Sequence, residues 1–229
     1  MQESGAFNPL WEEEIYAQGR HLNRCPYDFV VSFLHYHAPR DRPRSDVHVL
    51  EVGCGAGNNL WFAARQGFRV SGIDGSASAI EFARRRFAED HLSGDLRVGD
   101  FTALPFGDGS VDLVVDRGAL CACSRPVVGR ALAEVGRVLK PGGRLLFNPY
   151  SDRHSAMASG VRGADGFTVD ITVGLPGVGP IRFDSRQDVE TMLRGWTLLS
   201  LLHVESIEML QPAYVVYAEW RVVAEKPVA

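Results

Sequence analysis

The chain contains no apolar run approaching the ~20 residues that a membrane span needs. No apolar signal core follows its polar, partly acidic start, Met1-Gln-Glu-Ser-Gly. These two absences predict a cytoplasmic protein without a membrane partner. There is no excess of basic charge either: 24 Lys and Arg face 28 Asp and Glu, for a net charge of −4. Nothing in that balance recruits nucleic acid or an anionic surface. The densest basic run, Arg84-Arg85-Arg86, falls in a predicted helix, where successive side chains fan apart into solvent. Cysteine is scarce. Cys25, Cys54, Cys121 and Cys123 show neither a disulfide framework nor zinc-type spacing. Cys121-Ala-Cys123 has no second cysteine pair or histidine cluster beside it, so no metal is expected and reduced thiols are the default. Internal repeats and low-complexity tracts are also missing.

What remains is an ordinary globular composition, 45% hydrophobic and 23% charged, over 229 residues. That length suits one large domain, or one domain with an insertion. The most informative stretch is Val49-Leu-Glu-Val-Gly-Cys-Gly-Ala-Gly-Asn-Asn59. Strand-like residues run into Gly53, Gly55 and Gly57, and a helix-like run follows at once. Glycines packed at a strand-to-helix junction let the backbone turn sharply and approach a ligand closely. Glu51 lies two residues before the first of them. The expected ligand is a nucleoside cofactor in the crevice at the strand's C-terminal end. S-adenosylmethionine (SAM) and a nicotinamide or flavin dinucleotide are the candidates.

The first element reads as a helix, with Asn8 as cap, Pro9 at its first position, Glu12, Glu13 and Glu14 at its positive end and Gly19 as its stop. A second helix is predicted over 27–36, apolar at Phe29, Val30, Phe33 and Leu34 and stopped by Pro39. The charged, proline-bearing segment 39–46 links this extension to the main fold. Strands are predicted at 47–52, 68–73, 96–98, 111–115 and 144–147, with Pro141-Gly-Gly143 as the turn into the last. Helices are predicted between them at 58–66, from Ser76 to about His91, and from Pro126 to Leu139. This βαβ rhythm predicts a parallel sheet covered by helices on both faces. Residues 149–183 carry six glycines and no strong periodicity, which predicts a functional cover or a disordered insertion. A helix over 185–194, capped by Asp184 and closed by Gly195, leads to strands at 197–208 and 213–224. Their short link forces an antiparallel pairing.

In four ordered segments the chain resembles the class I SAM-dependent methyltransferases. They are Glu51-Val-Gly-Cys-Gly-Ala-Gly57, Gly72-Ile-Asp-Gly-Ser76, Gly99-Asp-Phe-Thr-Ala-Leu-Pro-Phe106 with Val111-Asp-Leu-Val114, and Leu139-Lys-Pro-Gly-Gly-Arg-Leu-Leu146. The closest flavour is the small-molecule branch that includes enzymes of the ubiquinone- and menaquinone-biosynthesis type. The resemblance implies an α/β fold: a Rossmann-like, seven-stranded, mostly parallel sheet with a C-terminal antiparallel hairpin. Residues 1–46 would form an N-terminal helical lid or extension, and 47–229 the methyltransferase domain with its cover at 149–183. A dinucleotide loop would read G-x-G-x-x-G, but Asn58 stands where the third glycine belongs.

The same resemblance assigns cofactor roles. Asp74 at the end of the second strand would take both ribose hydroxyls, beside Gly75. Asp100 would meet the adenine amino group, with an exposed loop aspartate as the other reading, and the amide of Phe101 would meet a ring nitrogen; Leu104 suits an apolar cover for the adenine or core packing. Gly53 and Asp116 would offer carbonyls to the ammonium of SAM, and Glu51 would organise the loop of Gly53, Gly55 and Gly57. Trp11 and Tyr16 resemble the N-terminal aromatic segment of thiopurine- and tellurite-type methyltransferases, which implies a lid over SAM; simple packing is the other reading.

Methyl transfer to a nucleophile is an in-line displacement at carbon. The sulfonium already activates the methyl, so alignment and water exclusion are the protein's main tasks, and a base is needed only for a nucleophile that must lose its proton early. Substrate residues are therefore expected at the ends of the fourth and fifth strands and in the cover. Arg117 suits an anionic acceptor group or an ion pair. Asn148 and Tyr150 suit a polar acceptor, or turn chemistry and packing. His154 is the best candidate base; His203, in a strand, reads as a core histidine. The expected activity is methylation of an oxygen or nitrogen of a small metabolite, with S-adenosylhomocysteine (SAH) as product, in a monomer or homodimer. A tRNA or protein acceptor, and a non-catalytic SAM-binding regulator or partner subunit, are the alternatives.

Overall fold

The computed structural model describes residues 7–210 and 214–228. A π-helical turn (Trp11–Tyr16) and α1 (Asp28–His37) precede β1 (His48–Val52), α2 (Asn58–Arg65), β2 (Arg69–Asp74), α3 (Ala77–Glu89) and β3 (Asp95–Val98). They are followed by β4 (Val111–Asp116), α4 (Arg125–Val138), β5 (Leu139–Phe147), α5 (Ser155–Ser159), β6 (Val161–Arg162), β7 (Phe167–Val169) and β8 (Ile181–Arg182). The chain closes with α6 (Arg186–Met192), β9 (Thr197–Glu208) and β10 (Val215–Glu225).

Seven strands form one sheet in the order β3-β2-β1-β4-β5-β10-β9. The first five run parallel, and β10 lies antiparallel between β5 and β9. This is the sheet expected from the sequence. Alternation along the strands sends side chains to two cores. Leu50, Val52 and Val114 pack with α4 and α6, while Val49, Leu113 and Val115 pack with α1, α2 and α3. Val30, Phe33 and Leu34 make α1 part of that second core.

Several local expectations are corrected. The first helix is a π-turn: the amide of Ala17 bonds to the carbonyl of Glu12 at 2.9 Å, a five-residue span. That spacing places Trp11 and Tyr16 on one side, with ring centroids 5.9 Å apart. Asn8 does not cap it in the standard way; its Oδ1 accepts from the amide of Leu10 at 3.1 Å. β5 begins at Leu139, so Pro141-Gly-Gly143 lies inside the strand as an irregularity opposite Val111. Ser185, not Asp184, caps α6: Ser185 Oγ accepts from the amide of Asp188 at 3.2 Å, and Asp188 Oδ2 accepts from the amide of Ser185 at 2.9 Å. Segment 149–183 carries α5 and a small antiparallel sheet, β6-β7-β8. Its strands are two or three residues long, too short to leave a periodic signal. Cys121, Ala156, Ile171, Val178, Ile181 and Phe183 form its own small core, against which Trp11 and Tyr150 pack. No helix among the described residues is long and apolar enough to cross a membrane.

Candidate functional site

β1 lies between β2 and β4, where the strand order reverses, and a crevice opens at the C-terminal ends of strands at such a switch point. The glycine loop leaves β1 there. Gly53 has φ 64°, and a Cβ on it would collide with Ala119. Gly55 has φ 50°, and a Cβ on it would meet the Tyr16 hydroxyl. Both conformations favour glycine, and both residues are approached too closely for any side chain. The loop is pinned to β2, with the amide of Gly53 donating to the carbonyl of Ile73 at 2.8 Å.

Asp74 is buried and joins two elements. Its Oδ2 accepts from the amide of Gly55 at 2.8 Å, and its Oδ1 accepts from the amide of Ser76 at 2.8 Å. Burial pushes its carboxyl above the usual range, opposed by the same two amides. Each carboxylate oxygen retains acceptor capacity for a further donor. Glu51 Oε1 accepts from Asn59 Nδ2 at 2.7 Å, while Oε2 is buried without a partner among the described residues. Burial pushes the Glu51 pKa up to about 8. Asp116 Oδ1 accepts from the amides of Ala119 at 3.0 Å and Leu120 at 3.1 Å; its Oδ2 is also buried without a partner, and burial raises its pKa to about 6.

Two connected clefts flank this loop. The first is lined by Phe7, Asn8, Trp11, Tyr16, Asp74, Gly75 and Phe101 among others. The second is lined by Tyr27, Glu51, Asn59 and Tyr150, and shares Trp11, Tyr16, Gly53 and Arg117 with the first. Asp100 stands apart: its exposed carboxylate accepts from the amide and hydroxyl of Thr102, each at 2.7 Å. Leu104 belongs to the α4-side core. The π-turn lies over the glycine loop, and Glu12 ties it down. Glu12 Oε2 accepts from Ser76 Oγ and from the amide of Ser78, and Oε1 accepts from Ser78 Oγ at 2.6 Å. The acid read as favouring its own helix instead serves the N-terminus of α3.

Arg117 follows β4 and faces both clefts. Its guanidinium lies 4.0 Å from the Tyr27 ring centroid, and Nη2 donates to the Tyr217 hydroxyl at 3.2 Å. Its Nε is buried without a partner, and among the described residues Arg117 makes no salt bridge. Tyr150 lines the second cleft, packed edge-on against Tyr217 at 5.7 Å, and burial pushes its phenol well up.

His154 lines neither cleft. Its Nδ1 accepts from the amide of Ala156 at 3.0 Å as the cap of α5, and its ring sits 4.8 Å from Tyr217 and 5.4 Å from Tyr150. Burial lowers its pKa to about 4. The ring therefore sits one layer behind Tyr150. Asn148 also turns away, donating to the carbonyl of Trp220 at 2.7 Å. His203 shares a hydrogen bond with Ser151 Oγ at 2.7 Å and packs on Trp220. Sequence reasoning missed Tyr27, Asn59 and His21 in the second cleft, and Phe7 in the first. Tyr27 and Asn59 read as a helix start and a helix-opening amide, with no signal that they meet. Among the described residues no group of three or more His, Cys, Asp or Glu side chains is placed to hold a metal ion.

Residues 49–143 match the model of a methyltransferase domain family. A malonyl-acyl-carrier protein O-methyltransferase from Methylococcus capsulatus is 32% identical over 169 residues, covering 67% of this chain and 58% of that one. A demethylmenaquinone methyltransferase from Renibacterium salmoninarum is 37% identical over 103 residues, covering 45% of this chain and 41% of that one. The chain thus spans less than two thirds of the length of either relative. The solved structure of a SAM-dependent methyltransferase from Methanosarcina mazei superposes with a TM-score of 0.71 at 18% identity, over 90% of this chain and all of that one. At that identity the likeness speaks for the fold.

Proposed function

From the premise that this chain belongs to the class I SAM-dependent methyltransferases, we propose that it transfers the methyl group of SAM to an oxygen of a small, carboxylate-bearing acceptor. The observation that carries the acceptor class is Arg117. It is a half-buried cation that makes no salt bridge among the described residues, at the junction of the two clefts, with an unused Nε donor. A carboxylate would complement its charge and accept in the plane of the guanidinium.

The cofactor's amino-acid end fits the polar atoms present. Glu51 Oε2 and Asp116 Oδ2 are buried acceptors without donors among the described residues. An ammonium group donates to such oxygens or to the carbonyls beside them, and its charge draws both raised carboxyl pKa values back down. Asp74, with acceptor capacity to spare, would hold the ribose hydroxyls, and Phe101 would line the base. When bound, SAM supplies a methyl group already activated by its sulfonium.

The chain's own residues would then orient and exclude. Arg117 would fix the carboxylate, Tyr27 would hold Arg117 by stacking, and Trp11, Tyr16 and the cover residues Leu175 and Val178 would keep water out. A carboxylate is already ionised near neutral pH, so this acceptor needs no base. That agrees with a site where His154 stands behind Tyr150 and the Tyr16 and Tyr150 phenols are pushed up by burial. The similarity to a protein named for O-methylation of a malonyl group supports the same direction.

Calorimetric titration with SAM and SAH, with NADH in parallel, tests the cofactor. Binding of NADH and of neither adenosyl compound would defeat the reading. Methyl uptake from labelled SAM into a panel of small mono- and dicarboxylates tests the acceptor. Arg117→Ala should leave the SAM Kd unchanged and raise the KM of the acceptor, and an unaffected KM returns Arg117 to a packing role. SAM binding without uptake across carboxylate, amine and tRNA acceptors would point to a non-catalytic SAM-binding protein.

A further inference from the structure

The first cleft has a wall that its own strand and helix do not supply. Gly75 follows Asp74 directly, at the entry to α3, yet it is not among the glycines with left-handed backbone. Its backbone would accept any residue. What excludes a side chain is the ring of Phe7: a Cβ on Gly75 would collide with it. Glycine is present here for space, and the space is filled by the N-terminal segment.

Phe7 lines the first cleft together with Asp74, Gly75 and Phe101. It also lines a neighbouring cleft with Pro9, Val127, Phe167 and Pro180, and Asn8, Ala122 and Cys123 border both. The ring is therefore a partition. The segment that carries it is anchored by the contacts of Glu12 to Ser76 and Ser78, at the same helix start.

Building on the SAM reading, we infer that Phe7 is a cofactor-binding residue whose ring, seated on the bare Cα of Gly75, forms the wall against which the adenine base packs. The base is flat and apolar on both faces, and aromatic rings stack on such faces largely irrespective of base identity. The N-terminal segment then completes the nucleoside slot as well as covering it.

Two probes separate the base from the amino-acid end: SAH, and 5′-methylthioadenosine, which keeps the adenosine and lacks the amino acid. Phe7→Ala should weaken both by the same factor, roughly five- to tenfold, while Phe7→Trp stays close to the unmodified protein. Gly75→Ala should weaken both by pushing the ring away, and should cost much less when added to Phe7→Ala, because the ring it displaces is already gone. Thermal unfolding of each variant reports whether the fold is intact. A Phe7→Ala protein that binds the probes equally or more tightly overturns the inference; tighter binding would mean that the ring fills the slot rather than lining it. Weakening of SAH alone also overturns it. If the unmodified protein binds neither probe, the SAM reading itself fails, which is a different result from a silent Phe7→Ala variant.

Discussion

Asn59 holds Glu51 with one end of its amide and Tyr27 with the other. Nδ2 donates to Glu51 Oε1 at 2.7 Å, and Oδ1 accepts from the backbone amide of Tyr27 at 3.0 Å. Through Tyr27 the same amide sets the ring on which Arg117 stacks. Asn59→Ala leaves a buried carboxyl oxygen and a backbone amide without partners, a loss of about 1–3 kcal/mol per group. Reduced stability in urea together with weaker SAM binding and a higher acceptor KM is expected. Asn59→Asp should also weaken the site, since it replaces the amide donor to Glu51 Oε1 with an acceptor-only carboxylate. Normal acceptor kinetics in a folded Asn59→Ala protein would show that the two clefts are not coupled through this residue.

The raised pKa of Glu51 makes stability depend on pH with a definite sign. Its pKa goes from an ordinary 4.5 to about 8 on folding, through burial. Between these values the folded state holds a proton that the unfolded state has released, so stability is full below the lower value and falls as pH rises through the upper one. Asp116 adds the same trend between 3.8 and about 6. The unfolding midpoint of the ligand-free protein should therefore fall as pH rises from about 6.5 to about 8, above the range in which His154 acts in the opposite sense. Glu51→Gln should flatten the upper part of that slope, and saturating SAM should flatten it too. An identical slope in Glu51→Gln would remove Glu51 as its source.

The sheet was legible because its strands are short apolar runs separated by helical periods, and the glycine loop because three glycines at one junction have few other uses. The resemblance, not the spacing, pointed to Asp74 and Phe101, which line the first cleft, as Gly53 and Gly55 line the second. The base role of His154 was not supported, because a sequence does not reveal that its Nδ1 is engaged as a helix cap and its ring is enclosed by Tyr150, Phe183 and Tyr217. Asp184 looked like a cap for a comparable reason: Asp and Ser are interchangeable as caps, and only the fold shows that Arg182 claims the aspartate. Phe7, Tyr27 and Asn59 were invisible as site residues, since their partners lie 68, 90 and 8 positions away along the chain, at Gly75, Arg117 and Glu51 respectively.

That Arg182–Asp184 pair supports a prediction about the cover. Arg182 is 2% exposed; its Nε donates to Asp184 Oδ1 at 2.9 Å, its Nη2 to Oδ2 at 3.1 Å, and its Nη1 to the carbonyl of Cys123. The pair ties β8 of the cover to the turn after β4. Asp184→Ala strands a buried guanidinium and should cost about 3–5 kcal/mol, whereas Arg182→Met with Asp184→Leu should recover much of that loss. For contrast, Glu190→Ala removes an exposed pair with Arg186 and should cost less than about 1 kcal/mol. Equal losses at the two sites would mean that the buried pair is not holding the cover.

The environment of His154 makes a sharp claim about pH. Burial lowers its pKa from 6.5 to about 4, so the folded ring is neutral while the unfolded ring gains a proton below pH 6.5. Its contribution to stability is present above 6.5 and is lost as pH falls through about 4. His154→Ala should lower stability by removing a cap and a packed ring, about 1–3 kcal/mol, without shifting any inflection in the pH–rate profile. Disappearance of a rate inflection near neutral pH in that variant would restore His154 as the base.

The last prediction concerns the latch at Glu12. Its carboxylate sits at the N-terminus of a thirteen-residue helix, α3, and accepts from the Ser76 hydroxyl, the Ser78 hydroxyl and the Ser78 amide. These hydrogen bonds, led by that of Ser76, hold its pKa below the usual carboxylate range. A charged group at a helix N-terminus is favoured by the helix dipole, and salt screens that attraction when the group is near solvent. The same turn carries Trp11 and Tyr16 over the glycine loop, so the latch and the cofactor route are mechanically one element. Glu12→Ala removes every acceptor and should raise the dissociation rate of SAH several-fold. Glu12→Gln keeps one acceptor without the charge and should fall between, as should Ser78→Ala, which removes one donor and leaves the amide. Stopped-flow tryptophan fluorescence on displacement of SAH measures the rate directly. In the unmodified protein the rate should climb with ionic strength; in Glu12→Gln it should climb less, because the charge that salt screens is absent. A Glu12→Ala protein that binds SAH and releases it at the unmodified rate would show that the N-terminal turn covers the cleft without gating it.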